Sequence, residues 1–257
     1  MNLLLLKLLL TPALIGLASL AGRKWGHAIS GWIVALPLTT GPIVFFLALS
    51  HGAAFAADTA AGILAGGFSL AAFTVVYARI ALHWAWPPTL AAASAAFFIM
   101  TAILRPVHVP PVPLWASVLA ALLLSLRLMP RASDSLPPTE GLPGRWDIPL
   151  RMVIATGFVL LITGLAPAVG PHLAGLLSPF PFFTATLAAF AQHQHGAAAA
   201  ISVLRGLLLG LFSFASFMFT LTLLLVSAGT SAAFAAAILV VIVSQAVSLW
   251  LLRRRTG

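Results

Sequence analysis

The 257 residues are 61% hydrophobic and 7% charged, with a formal charge of +9 and a mean hydropathy of +1.12. Apolar stretches near the ~20 residues needed to cross hydrocarbon recur along the chain, which excludes a water-soluble domain. The Lys and Arg residues cluster between those stretches, so the charge reads as a membrane-orientation signal and not as a nucleic-acid surface. Cysteine is absent, which excludes thiolate metal sites, thiol nucleophiles and disulfides.

In chain order, residues 2–21 read as the first span. Lys7 ahead of an apolar run, with Ser19-Leu20-Ala21 after it, imitates a signal peptide. A counterpart at residues 148–166, inside the chain, argues for a span instead. Residues 22–30, with Arg23 and Lys24, form a basic loop. Residues 31–50 are apolar but carry Pro37, Thr39, Thr40, Gly41 and Pro42 in their middle. Each proline removes a donor and crowds the preceding turn, so a break is expected there. A third span covers 53–77, followed by an interfacial belt of Arg79, His83, Trp84 and Trp86. The fourth covers 87–104, residues 105–113 are a proline-rich loop, and 114–129 is a short fifth span. Residues 130–147 hold Asp134, Glu140 and Asp147 among prolines and read as a solvated loop. The remaining spans are 148–166, 171–193, 197–226 and 230–252, the last stopping at Arg253, Arg254 and Arg255.

Displacing the chain by 144 residues superimposes its halves, with 17 identities in 48 positions between residues 26–73 and 170–217. Roughly five are expected by chance in so apolar a composition. Pro37 falls on Pro181, Thr40 on Thr184, His51-Gly52 on His195-Gly196, and Gly62 and Gly66 on Gly206 and Gly210. Each copy holds four spans and one unpaired span joins them, so the copies lie in opposite orientations. The expected fold is an all-α polytopic membrane protein of nine transmembrane helices. It comprises two inverted four-helix repeats joined by one extra helix, each with a broken second helix. The segments are 1–105 as the first repeat, 106–147 as linker helix and cytoplasmic loop, and 148–257 as the second repeat. With the N-terminus outside and the C-terminus cytoplasmic, 11 of the 13 Lys and Arg residues fall inside, as the positive-inside rule requires. Compact loops and the Ala- and Leu-rich composition point to a bacterial plasma (inner) membrane.

Interrupted helices in corresponding places of two halves are the sequence pointer to a transporter's binding site. The candidate substrate-binding residues are Pro37, Thr39, Thr40, Gly41, Pro42, Pro181, Thr184, Thr186 and Arg205. Packing kinks are the bland alternative. Asp58, the one acid inside a span, shares a helix face with Gly62, Gly66 and Ser69. It is the candidate coupling residue, expected to face the bundle and to have its carboxylate disfavoured by burial. A role at the helix N-terminus is its structural alternative. Arg205 either holds an anionic group or snorkels to the surface. The Gln192–His195 run is a weak metal signal and reads as a polar helix end. His51 and His195, at matched ends, suit caps or a pH-sensitive gate. The phenylalanines, Phe180 and Phe182 among them, read as lipid-facing or packing residues.

The LPLTTGPI segment, with a glycine-striped helix after it, resembles the CidB/LrgB holin-like membrane proteins over this short stretch. The leading functional expectation is a secondary transporter or exporter of a small solute, anions included, working by alternating access and not an enzyme. The alternatives are a non-transporting scaffold or assembly subunit and a passive channel. The expected partners are the lipid bilayer and a small-molecule or ion substrate, with no cofactor, metal or nucleic acid; a homo-oligomer stays open.

Overall fold

The computed structural model describes residues 3–25, 37–130 and 147–256. These form ten helices and, among the described residues, no strand. In chain order they are α1 (Leu3–Trp25), α2 (Thr40–His51), α3 (Ala53–Ile80), α4 (Trp86–Leu104) and α5 (Pro111–Leu128). Then come α6 (Asp147–Val169), α7 (Pro171–Leu177), α8 (Phe182–His195), α9 (Ala197–Ala228) and α10 (Thr230–Thr256). The first half of the early broken span and most of the loop at 130–147 lie outside the described residues. Among the described residues, five helices are long and apolar enough to cross a membrane: α3, α4, α5, Met152–Val169 of α6, and α9. Shorter apolar stretches lie in α1, α2 and α10. The chain is therefore built as a helical membrane protein.

Prolines start helices here more often than they stop them. Pro87 and Pro88 occupy the first turn of α4, and Pro111 the first position of α5. A first-turn residue has no intrahelical acceptor for its N–H, so proline loses nothing there. For the same reason α5 begins three residues earlier than the hydropathy pattern suggests, taking Pro111 and Pro113 out of the expected loop. Glycine makes the tightest joints. Gly52 and Gly196, with φ of 87° and 83° and extended ψ, each form the whole connection between two helices. That backbone region is essentially closed to residues with a Cβ.

The bundle is centred on α3 and α9. Helix α3 packs against α2, α4, α5, α7 and α9, and α9 against α3, α5, α8 and α10. Helix α5, which has no counterpart under the 144-residue displacement, lies on both. Helices α1 and α6 pair at the side, joined to the centre through α2 and α7. The helix boundaries follow the same displacement: both ends of α1 and α6, the starts of α3 and α9, the starts of α4 and α10, and the ends of α2 and α8 all lie 144 residues apart. Hydroxyls also bridge the corresponding helix pairs, Ser69 and Ser213 lying 144 residues apart. Thr101 donates to Ser69 at 2.9 Å between α4 and α3, and Ser244 to Ser213 at 3.1 Å between α10 and α9.

Candidate functional site

The later break falls at residues 178–181, between α7 and α8. Ser178, Pro179 and Pro181 are buried. Phe180, between the two prolines, is clamped by rings: centroids lie 4.6 Å from Phe182, 5.1 Å from Phe97 and 5.3 Å from Phe98. Helix α8 starts at once with Phe182, so Thr184 and Thr186 belong to its first turns and not to irregular backbone. Thr184 is half-buried. Thr186 is exposed and returns its hydroxyl to the Phe182 carbonyl at 2.8 Å.

Helix α7 leads into this break and crosses α3 where neither has a side chain. A Cβ on Gly62 would strike the His172 carbonyl, and one on Gly175 the Thr59 carbonyl. A Cβ on Gly66 would meet Pro179 and lie 3.1 Å from the Leu176 carbonyl. The glycine stripe of α3 therefore seats the half-helix that carries the break. Small residues let the two backbones touch, which in lipid is the main source of helix association.

The earlier break is described from Pro37 onward. Gly41 donates to the Pro37 carbonyl at 2.8 Å, and Ile43 to Thr39 at 3.2 Å. Pro42 sits in the first turn of α2, where its missing donor does no harm. Thr39 is the N-cap, while Thr40 and Gly41 are helical, so this break ends sooner than the sequence pattern suggests. The start of α2 is consequently no fan of free donors. Its polar resource is Thr40, whose hydroxyl is buried without a hydrogen-bond partner. Gly41 lies against the Phe217 ring of α9, at 3.8 Å from an added Cβ. The earlier break thus touches α9 and the later one touches α3, each the long helix of the opposite half. The two breaks are joined through the α3–α9 pair and not through a broad contact of their own.

Charges lie at both ends. Asp58 is exposed, in the second turn of α3, and does not face the bundle interior as the sequence suggested. The reason is position: the face it shares with Gly62 and Gly66 is covered by α7 only from His172 onward. Asp58 lies within electrostatic reach of His172. The His172 ring stacks on His108 at 4.5 Å and lies 3.4 Å from the Leu104 carbonyl. Arg205, two turns into α9, is half-buried, and its Nε is buried with no partner. His51 stacks on Phe55 at 4.9 Å and contacts Ser50 at 2.7 Å, while His195 is exposed.

Comparison with protein-family models, curated proteins and solved structures finds no match. What the chain does has to be argued from these residues.

Three features escape a reading of the sequence alone. Lys7 lies within α1, donates to the Thr163 hydroxyl of α6 at 2.9 Å, and sits 5.8 Å from the Phe46 ring centre. His172 stacks on His108 and lies within electrostatic reach of Asp58; three ionisable residues so far apart in the chain give no local signal. Gln192 is buried and donates to the Trp84 carbonyl at 2.8 Å, which ties the end of α8 to the α3–α4 turn. That tie makes the Gln-His run a structural fastening. No group of three or more His or acidic residues suited to a metal occurs among the described residues.

Proposed function

We propose that the chain is a secondary transporter or exporter of inverted-repeat design, moving a small solute, anions included, by alternating access around the paired helix breaks. The observation that carries this reading is the pair of helix breaks ahead of Thr40 and Phe182, the earlier meeting Phe217 of α9 at Gly41 and the later meeting Gly66 of α3 at Pro179. Interrupted helices against a central pair are the arrangement in which one repeat rocks against the other around a midplane site. In this reading Pro37, Thr39, Thr40, Gly41 and Pro42 line one side, and Pro181, Thr184 and Thr186 the other. Thr40 supplies a buried hydroxyl, Arg205 a cation for a substrate anion, and Asp58 couples transport to protons, with His172 as its partner on the half-helix that leads into the break. A non-transporting scaffold is the second reading, and the phenylalanine clamp on Phe180 is what favours it.

The test uses purified full-length protein in liposomes under an imposed pH gradient, incubated with a mixture of small metabolites whose lumenal content is read by mass spectrometry. Wild type should concentrate at least one solute saturably and in response to the gradient. Asp58→Asn keeps shape and hydrogen bonding but cannot change charge, so it should still exchange that solute while losing accumulation. Gradient-driven accumulation at the wild-type level in the mutant would end the coupling role. Failure of wild type to concentrate any solute would favour the scaffold.

A further inference from the structure

Two arginines close one end of the bundle. Arg79 lies in the last turn of α3 and Arg127 in the last turn of α5. With Leu82, His83, Trp84 and Leu128 they line an open cavity of about 680 Å³, within the ~300–1,000 Å³ of sites that take small molecules. Arg79 is fixed in place: its Nε and Nη2 donate to the Leu128 carbonyl at 3.1 and 2.9 Å. That carbonyl belongs to the last turn of α5, which lacks intrahelical donors, so the arginine caps it. A guanidinium has five N–H groups, and among the described residues the cap leaves the others uncommitted. Arg127 has no hydrogen bond or ion pair among the described residues, and no carboxylate among them lines the cavity.

The rim selects the occupant. Trp84 and Leu82 are 56% and 51% exposed, and Leu123, Leu124 and Leu128 continue an exposed apolar track along α5. A dissolved anion gains nothing from that track, whereas a lipid bearing two acyl chains does. Tryptophan at the edge fits the depth of the headgroup boundary.

We propose that this groove binds an anionic phospholipid, with Arg127 and Arg79 on the phosphate oxygens and Trp84 and the leucines along the glycerol and upper acyl chains. Basic pockets at the ends of membrane helices recognise lipid headgroups in this way. The inference rests on the membrane class of the fold and is independent of the transport reading.

Native mass spectrometry of the full-length protein in detergent tests it, using phosphatidylglycerol, phosphatidylcholine of the same chain length, and inorganic phosphate as probes. Phosphatidylglycerol should be retained in preference to phosphatidylcholine, and retention should fall as salt rises. Arg127→Gln should weaken it roughly five- to tenfold, with Arg127→Lys between the two. The salt series needs no variant, so it holds even where a substitution harms folding. Equal retention of both lipids, or unchanged retention in Arg127→Gln, would overturn the site. Inorganic phosphate binding as tightly as phosphatidylglycerol would overturn the lipid assignment. Retention that rises in Asp134→Asn/Glu140→Gln would make the following loop the occupant and equally sink the proposal.

Discussion

Gly62 is the residue on which the α3–α7 crossing turns. An added Cβ there meets a backbone carbonyl, which cannot swing aside as a side-chain tip could. Gly62→Ala should therefore separate the two helices and destabilise by about 1–3 kcal/mol, the usual range for overpacking. Gly157 is exposed on α6, with nothing within 4 Å of an added Cβ. Gly157→Ala should be neutral or slightly stabilising, since alanine is the better helix former. Thermal melts in one detergent decide the matter, and equal melting temperatures for the two variants would refute the crossing. The stripe itself was legible, because a four-residue spacing of small residues marks one helix face. Its partner was not: Gly175 lies in the other half of the chain, and periodicity carries no address. Asp58 shows the same limit. The helical repeat put it on the right face, but how far α7 extends along that face decides its exposure.

At the scale of the element, the two breaks differ in how proline is used. Pro42 lies in the first turn of α2, where helix geometry accommodates it. Pro179 lies between α7 and α8, and Pro181 is the N-cap of α8 with φ −86° and ψ 54°, outside the helical region. Restoring donors at those two positions lets one helix run from Pro171 towards His195. Pro179→Ala/Pro181→Ala should therefore raise helicity and abolish solute accumulation under the transport reading, while Pro42→Ala leaves both near wild type. Circular dichroism and the liposome assay together decide. Gain of helix with full accumulation would reduce the later break to packing alone. The sequence marked the later interruption because proline acts locally, yet it placed the start of the following helix a turn too far along there and at Thr40. Whether a proline ends one helix or begins the next depends on which carbonyls remain free, and that is settled by the neighbouring chain.

For the whole molecule, side-to-side consistency comes from contacts distant in sequence. Arg79 caps α5 beyond Leu128, Gln192 reaches the α3–α4 turn, and Trp86 and His193 lie 6.5 Å apart. These put the ends of α3, α5 and α8 and the start of α4 on one side. His172 meets Leu104 and His108, which puts the start of α7 and the end of α4 on the other. Alternation of the helices then carries the end of α1, with Arg23 and Lys24, and the end of α10, with Arg253, Arg254 and Arg255, to the side of Arg79 and Arg127. Arg105 goes to the opposite side with Lys7. Basic residues are retained on the cytoplasmic face during insertion, so the prediction is a cytoplasmic C-terminus and an N-terminus outside. A fluorescent protein fused after Gly257 should fold and fluoresce in intact cells, whereas a phosphatase active only outside the cytoplasm should be silent at that position. The reverse pair of outcomes would overturn the orientation. Moving charges makes the test sharper. Arg253→Ala/Arg254→Ala/Arg255→Ala leaves Arg23, Lys24, Arg79 and Arg127 to hold the same face, so the reporter pattern should persist with fewer correctly inserted molecules. A clean switch of reporters in that triple variant would mean that the terminal arginines alone had set the topology, and that the charge asymmetry along the rest of the chain carried no weight.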